Sequence, residues 1–141
     1  MLETLTLLLL IPLMDNQITA IAQRTLDIEA AAIQGLAKFI DTSFVESVKA
    51  IYASKGRLVI SGIGKSAIIA QKIVATCNST GTPAIFLHAA DALHGDSGII
   101  DKEDIVLIIS KSGESPEIKN LVQLVESLDR KSTRLNSSHT D

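Results

Sequence analysis

The feature that most constrains the fold of this sequence is an unbroken apolar run at residues 105–109, which reads Ile-Val-Leu-Ile-Ile. Its length and its β-branched residues indicate a strand rather than a helix. Successive side chains of a strand point to opposite faces of the sheet, so an entirely apolar strand predicts cover on both faces. Helices on both faces of a parallel sheet provide that cover, and the run therefore favours an α/β fold.

Short apolar runs alternate with longer helical patterns from residue 57 onward. This alternation predicts a doubly wound parallel sheet, in which each strand is followed by a crossover helix. No further strand pattern follows residue 129, so we expect a sheet truncated after the third strand. The predicted strands are 57–61, 84–87 and 105–110, and the predicted crossover helices are 66–78 and 116–128.

Two helices are predicted ahead of the sheet. Residues 18–40 carry apolar side chains on one side at a period of 3.6 residues, and residues 43–53 form a shorter helix that ends before Gly56. Glu29 falls in the middle of the apolar side. We expect this carboxyl either to be buried with a structural partner or to face a cleft, because an unpaired buried acid is costly.

The two ends of the chain fit no domain pattern. The apolar run at residues 5–13 is about half as long as the roughly 20 residues of a membrane helix, and no basic residue precedes it. We interpret residues 1–13 as an extension ahead of a translation start at Met14, with a targeting segment as the alternative. Residues 130–141 resemble translated vector sequence, in which His139 has no function. Residues 14–129 remain as a partial domain.

Composition excludes several classes of partner. The chain of 141 residues has 13 Lys and Arg against 16 Asp and Glu, and its net charge of −3 is unsuited to binding nucleic acid. Aromatic residues make up only 3% of the chain, which removes stacking platforms for bases or sugar rings. The single cysteine, Cys77, cannot form an internal disulfide, which favours a reducing, cytoplasmic location. We expect neither a nucleic-acid partner nor a membrane.

The first predicted strand is followed by a glycine-containing loop, Ser61-Gly62-Ile63-Gly64-Lys65-Ser66. The loop opens a predicted helix, whose free N–H groups attract anions. These residues favour a phosphate ligand. The alternative is a tight turn from strand to helix with no ligand.

Two nucleotide-binding motifs compete for this loop. A P-loop requires glycine where Val59 stands, so that interpretation fails. A dinucleotide fingerprint is satisfied by Gly62, Gly64 and Ala67, but the second strand ends at His88 without the acid that holds a ribose. Dinucleotide binding is therefore disfavoured.

A second polar loop, Ser110-Lys111-Ser112-Gly113-Glu114-Ser115, follows the third strand and leads into Pro116-Glu117. Its hydroxyls and the start of the next helix form a second candidate anion site at the same edge of the sheet. Helix capping by Ser115 and Glu117 is the competing interpretation. Capping does not explain the serines at 110 and 112, so we favour a binding role.

A third polar stretch lies between these loops. It contains Gly81 and Thr82 before the second strand, and then His88, Asp91, His94 and Asp96 after it. The spacing of the histidines and aspartates matches no common zinc signature, so we expect no metal. Histidines that cap backbone groups in a connection are the competing structural interpretation.

Four of these stretches, at residues 62–66, 78–83, 92–96 and 110–117, together carry a family resemblance. In order and spacing they resemble the N-terminal half of the sugar isomerase domain, and specifically the arabinose-5-phosphate isomerases that supply the Kdo pathway. The resemblance implies reversible conversion of D-arabinose 5-phosphate into D-ribulose 5-phosphate with no organic cofactor. The family's domain continues through further strands that carry another catalytic glutamate and histidine, so we expect the chain alone to be inactive.

The resemblance implies catalytic positions at Lys65 and Glu117. Aldose to ketose conversion needs a base beside the carbonyl and an acid or cation at the enediolate oxygen. Glu117 suits the first role, and Lys65 or His94 suits the second. The candidate substrate-binding residues are Gly62, Gly64, Ser66, Gly81, Thr82, His88, His94, Ser110, Ser112 and Ser115.

Two further expectations accompany the resemblance. We expect the complete protein to be a homo-oligomer. The alternative function is a non-catalytic domain that binds or senses phosphosugars, as in transcription regulators, although no basic recognition helix precedes the predicted sheet.

Overall fold

The computed structural model describes the backbone of residues 2–128 and 131–132 and the side chains of residues 14–128. The chain divides into two compact units, Met1–Asp41 and Thr42–Asp141. The helices are α1 (Leu2–Gly35), α2 (Thr42–Ala53), α3 (Lys65–Ser79), α4 (Ala89–Leu93) and α5 (Pro116–Ser127), with short 3₁₀ helices at Leu36–Phe39 and Asp96–Ile99. The strands are β1 (Leu58–Gly62), β2 (Ala84–His88), β3 (Ile105–Ile109) and β4 (Lys131–Ser132).

The first unit is built on α1, which begins earlier and ends earlier than the predicted helix over 18–40. Regular α-helix ends at Gly35, the residue type with the lowest helix propensity apart from proline, and continues as a 3₁₀ turn to Phe39. The expectation of a buried Glu29 is wrong, because its side chain is exposed together with those of Ile28 and Ile33. Among the described residues, none of the helices combines the length and the apolar character that a membrane-spanning helix requires.

The two ends of the chain differ in how far the structure describes them. Residues 2–13 belong to α1, and their interpretation as an extension ahead of Met14 stays a prediction. Of the segment 130–141, residues 130 and 133–141, including His139, lie outside the described residues, and its interpretation as vector sequence stays a prediction.

The second unit contains one sheet with the strand order β2-β1-β3-β4. All three strand pairs are parallel, which confirms the predicted parallel sheet. The sequence predicted a sheet that ends at the third strand, whereas the structure adds the two-residue strand β4 beside β3. A strand at the edge of a sheet presents unpaired backbone groups, so even two residues can pair there without an apolar strand pattern.

Helices cover both faces of the sheet, as the apolar strands predicted. On one face, Val59 and Val106 pack in a core cluster with Ile118 and Leu121 of α5 and with Ala89 of α4. A second cluster on the opposite face joins the alternate strand residues to α2 and α3, and its members include Leu58, Ile60, Ile105, Ala50, Ile51, Ala70 and Ile73. The doubly wound architecture is therefore confirmed.

An ion pair joins the segments that lead into β1 and β3. It lies where the parallel strands begin, which we call the amino edge of the sheet; the carboxyl edge is where they end. Arg57 donates its backbone N–H to Oδ1 of Asp104 at 2.7 Å and its Nη2 to Oδ2 at 2.8 Å. The backbone N–H of Asp101 also donates to Oδ2, at 2.9 Å. Asp104 is only 1% exposed, so these bonds satisfy a buried carboxylate.

The pKa of Asp104 reflects these contacts. Burial alone would raise this pKa, but hydrogen bonds from Arg57 and from the backbone N–H of Asp101 outweigh burial and lower it below its ordinary value of 3.8. The same side-chain bond raises the pKa of Arg57. The pair thus holds the starts of the two central strands together and supports the register that aligns their carboxyl ends.

Candidate functional site

The carboxyl ends of the three longer strands lie level with one another. Gly62, the last residue of β1, pairs in register with His88 at the end of β2 and with Ile109 at the end of β3. The loops that leave these strands therefore begin at one edge of the sheet. The chain leaves β1 towards β2 and leaves β3 towards β4, so the crevice between β1 and β3 is the position where open α/β sheets bind ligands.

The loop after β1 uses its two glycines differently. A Cβ atom on Gly62 would lie 2.9 Å from the backbone carbon of Ser66, so glycine here allows the first turn of α3 to pack closely on the strand end. Gly64 has a φ of +57°, and the space beside it is open. Lys65 follows as the first residue of α3 with an exposed side chain, and Ser66 is half-buried. This loop therefore places a cation and a helix N-terminus at the carboxyl end of β1.

The serines after β3 build their own loop. The hydroxyl of Ser110 accepts the backbone N–H of Gly113 at 3.0 Å, and the hydroxyl of Ser112 accepts the backbone N–H of Glu114 at 3.2 Å. Glu114 pairs with Lys119, and the hydrogen bond from Lys119 lowers the pKa of Glu114. Ser110 and Ser112 thus hold the shape of the loop that follows the carboxyl end of β3.

The start of α5 is not capped by a side chain. Ser115 occupies the N-cap position with an extended backbone, but its hydroxyl makes no cap hydrogen bond and its Oγ is buried without a partner. The capping interpretation therefore accounts for the position of Ser115 and not for its hydroxyl. Glu117, the second residue of α5, is half-buried. Pro116 has no N–H and the N–H of Lys119 donates to the Ser115 carbonyl, so the N–H groups of Glu117 and Ile118 are the ones that could bind an anion here.

His88 and His94 flank the short helix α4 beside the same edge. The Nδ1 atom of His88 lies 3.7 Å from Oδ2 of Asp91 and is buried without a hydrogen bond, while the ring packs edge-on against Phe86. His94 is exposed, and its backbone N–H closes α4 by donating to the Asp91 carbonyl at 2.9 Å. Among the residues that the structure describes, no group of three His, Cys, Asp or Glu side chains gathers to hold a metal ion.

Gly81 and Thr82 do not join the other candidates. They precede β2 and therefore lie at the amino edge of the sheet, where they line a cavity of about 550 Å³ together with Tyr52 and Cys77. Gly81 adopts a φ of +89° two residues after the end of α3, and the N–H of Thr82 donates to the Cys77 carbonyl at 2.9 Å. Both residues therefore lie at the opposite edge of the sheet from the other candidates, and their assignment as substrate-binding residues stays a prediction.

One buried polar residue at the carboxyl edge belongs to the first candidate loop but was not among the candidate substrate-binding residues. Ser61 interrupts the otherwise apolar strand β1, is 0% exposed, and its Oγ has no hydrogen-bond partner. The available signal was a hydroxyl in a strand that the sequence predicted to be buried on both faces, because a buried polar group needs a partner.

Comparison with known proteins places this architecture in a family context. A family model described as the SIS domain matches residues 51–134. The arabinose 5-phosphate isomerase KdsD of Pseudomonas aeruginosa is 46% identical over 107 residues, which cover 76% of this chain and 33% of that protein. The arabinose 5-phosphate isomerase KpsF of Escherichia coli O6:H1 is 45% identical over 106 residues, which cover 74% of this chain and 32% of that protein. The chain thus spans about a third of the length of these curated relatives.

Solved structures share the fold. The Escherichia coli CFT073 protein c3406, solved in complex with arabinose 5-phosphate, aligns with a TM-score of 0.69 and 28% identity over 85% of this chain and 75% of that chain. A tagatose-6-phosphate ketose/aldose isomerase from Escherichia coli aligns with a TM-score of 0.56 and 18% identity over 72% of this chain and 28% of that chain. The second likeness concerns the fold alone.

Proposed function

Because the chain belongs to the SIS domain family, we propose that the carboxyl edge of its sheet binds D-arabinose 5-phosphate and contributes to its interconversion with D-ribulose 5-phosphate. The observation that carries this proposal is the meeting of the β1 and β3 loops at one edge of the sheet. These loops bear the motifs that the sequence singled out, and the relatives named arabinose 5-phosphate isomerase support the choice of substrate.

The phosphate end of the substrate binds where two helices begin. The N-termini of α3 and α5 supply backbone N–H groups and a favourable dipole for a dianion. Ser66 and Ser115 add hydroxyls, and Ser110 and Ser112 hold the loop between β3 and α5. Binding the phosphate away from the reacting carbons fixes the sugar in the crevice and lowers the entropic part of the barrier.

Proton transfer beside the carbonyl is the chemical step. Glu117 serves as the base that removes the proton from C2 of the aldose and returns it to C1, while a proton passes from the C2 hydroxyl to the C1 oxygen. Lys65 or His94 stabilises the negative charge that develops on the enediolate oxygen. His88 contacts the substrate beside them. The conversion shifts protons within the substrate and involves no net oxidation, so these side chains can carry it out. We therefore expect no organic cofactor and no metal.

The chain's share of the whole protein limits what it does alone. The chain spans about a third of its curated relatives, and the resemblance assigns another catalytic glutamate and histidine to later strands. We therefore expect the 141-residue chain to bind the sugar phosphate only weakly and not to convert it. We further expect the complete protein to be a cytoplasmic homo-oligomer. Sedimentation velocity on the chain joined to the rest of its domain tests the oligomeric state, and a monomer would contradict this expectation.

A chimera tests the isomerase proposal. Residues 14–128 of this chain would replace the aligned segment of the Pseudomonas aeruginosa relative, and ribulose 5-phosphate formed from arabinose 5-phosphate would be measured. We expect turnover by the chimera and none above background by the chain alone. A folded chimera that binds arabinose 5-phosphate without turnover would favour the sensing function instead.

A further inference from the structure

Three buried side-chain polar atoms in the described part of the chain have no hydrogen-bond partner: Ser61 Oγ, His88 Nδ1 and Ser115 Oγ. They share one location, since Ser61 is the penultimate residue of β1, His88 ends β2, and Ser115 directly precedes α5. Buried polar groups in proteins are almost always hydrogen-bonded, because an unmet bond is costly. Their clustering at the carboxyl edge indicates a polar partner that is not part of the fold.

The side chain of Ser61 points to the side of the sheet where α5 begins. Side chains alternate along a strand, so Ser61 shares a face with Val59. Val59 packs in the core cluster that contains Ile118 of α5, and Ile118 lies in the first turn of that helix. The hydroxyl of Ser61 is therefore buried beneath the crevice, on the face where the N-terminus of α5 and Ser115 lie.

A second buried serine shows the usual arrangement. Ser47 in α2 is 5% exposed, and its hydroxyl donates to the Ser43 carbonyl at 2.8 Å. Ser61 is more deeply buried than Ser47 and yet has no such bond. The hydroxyl of Ser47 thus stabilises the fold through an internal hydrogen bond, whereas the hydroxyl of Ser61 lacks a partner within the chain.

We propose that Ser61 is a further ligand-binding residue, whose hydroxyl donates a hydrogen bond to the phosphoryl group of the sugar phosphate. The inference rests on the function proposed above and names a residue outside the candidate set. A phosphoryl oxygen is the fitting acceptor because the neighbouring group on this face is the N-terminus of α5, which attracts a dianion. Ser61 and Ser115 then bind the phosphoryl group from two elements of one face.

The test compares Ser61→Ala with Ser47→Ala in the full 141-residue chain. Calorimetry would measure the dissociation constants of arabinose 5-phosphate, inorganic phosphate and D-arabinose. A hydrogen bond to a charged group predicts that Ser61→Ala weakens the two phosphate-containing ligands by a similar factor of about 10 or more. Ser47→Ala should leave both constants unchanged.

Two binding results would overturn the proposal while leaving the proposed function intact. Unchanged constants in Ser61→Ala would mean that the hydroxyl bonds to water or to nothing. A loss limited to arabinose 5-phosphate would mean that Ser61 contacts the sugar instead. If the unmodified chain bound neither phosphate-containing ligand, the proposed function itself would fail, and this inference with it.

Thermal unfolding of the ligand-free variants gives a second measure. Removing a hydroxyl without an internal partner should leave the melting temperature unchanged or raise it, whereas Ser47→Ala should lower it. If Ser61→Ala lowered the melting temperature as much as Ser47→Ala, Ser61 would have a structural partner, and its assignment to the ligand would be wrong.

Discussion

Lys65 and Glu117 each stand in the first turn of a helix that begins at the carboxyl edge of the sheet. In the chimera described above, we expect Lys65→Ala and Glu117→Gln each to lower kcat by about 100-fold or more, because a positioned acid or base typically contributes that much. Steady-state rates of ribulose 5-phosphate formation measure this effect.

Matched controls lie further along the same two helices. Lys72 in α3 and Glu126 in α5 are exposed residues of the same types, so Lys72→Ala and Glu126→Gln should leave kcat unchanged. Equal losses in the controls would point to a general effect on the helices. Near-normal rates in Lys65→Ala and Glu117→Gln would remove both residues from the chemistry.

Ser110 and Ser112 act through the loop that they hold. Replacing both with alanine removes the bonds to the N–H groups of Gly113 and Glu114, so the loop loses its fixed shape. We expect the dissociation constant of arabinose 5-phosphate to rise about 10-fold, since two hydrogen bonds contribute on the order of 1–2 kcal/mol. Calorimetry on the chain measures this change.

The control for the loop serines is Ser127→Ala. The hydroxyl of Ser127 donates to the Leu124 carbonyl at the far end of α5. Its removal should not alter binding. If the double variant bound arabinose 5-phosphate as tightly as the unmodified chain, the loop after β3 would have no part in the site.

At the scale of elements, the central sheet was predictable because its strands are apolar on both faces. Residues 105–109 are apolar on both faces of the strand, and in the structure helices cover both faces of the sheet. The direction of the strands also fixes which loops share an edge. Gly81 and Thr82 precede β2, so a parallel sheet leaves them at the amino edge, a consequence that motif order along the chain does not reveal.

Other features depend on contacts between distant segments. The exposure of Glu29 could not be foreseen, because a helical period shows which side chains share a face and not whether that face is covered. The pairing of Arg57 with Asp104 joins residues 47 positions apart, and neither residue carries a local pattern that predicts the other.

The Arg57–Asp104 pair makes a prediction for the stability of the second unit. Asp104→Asn should lower the free energy of unfolding by about 2–3 kcal/mol at pH 7, because a buried, hydrogen-bonded carboxylate is lost and Arg57 is itself partly exposed. Urea unfolding measures this difference. Glu103→Gln, at the exposed neighbouring residue, serves as the control.

The lowered pKa of Asp104 determines how its contribution to the stability of the second unit depends on pH. The carboxylate contributes its full stabilisation above its ordinary value of 3.8, and the contribution is lost as the pH falls through the lower pKa of the folded chain. The difference between the unmodified chain and Asp104→Asn should therefore shrink below about pH 4. A difference that stayed constant down to about pH 2 would contradict a stabilising carboxylate.

At the scale of the whole molecule, the central proposal is a phosphosugar site at the carboxyl edge of the sheet. The amino edge is a contrasting region of the same unit, with an ion pair and a cavity lined by Gly81 and Thr82. A sugar phosphate that binds as proposed should therefore change the environment of the carboxyl edge and leave that of the amino edge unchanged.

Chemical-shift mapping on the uniformly ¹⁵N-labelled chain tests this claim most directly. Titration with arabinose 5-phosphate should shift the backbone amides of residues 62–66 and 110–117 in a saturable way, with little change at Gly81 and Thr82. D-Arabinose without the phosphate should cause no comparable shifts. Saturable shifts confined to the amino edge, or equal responses to the two sugars, would contradict the account.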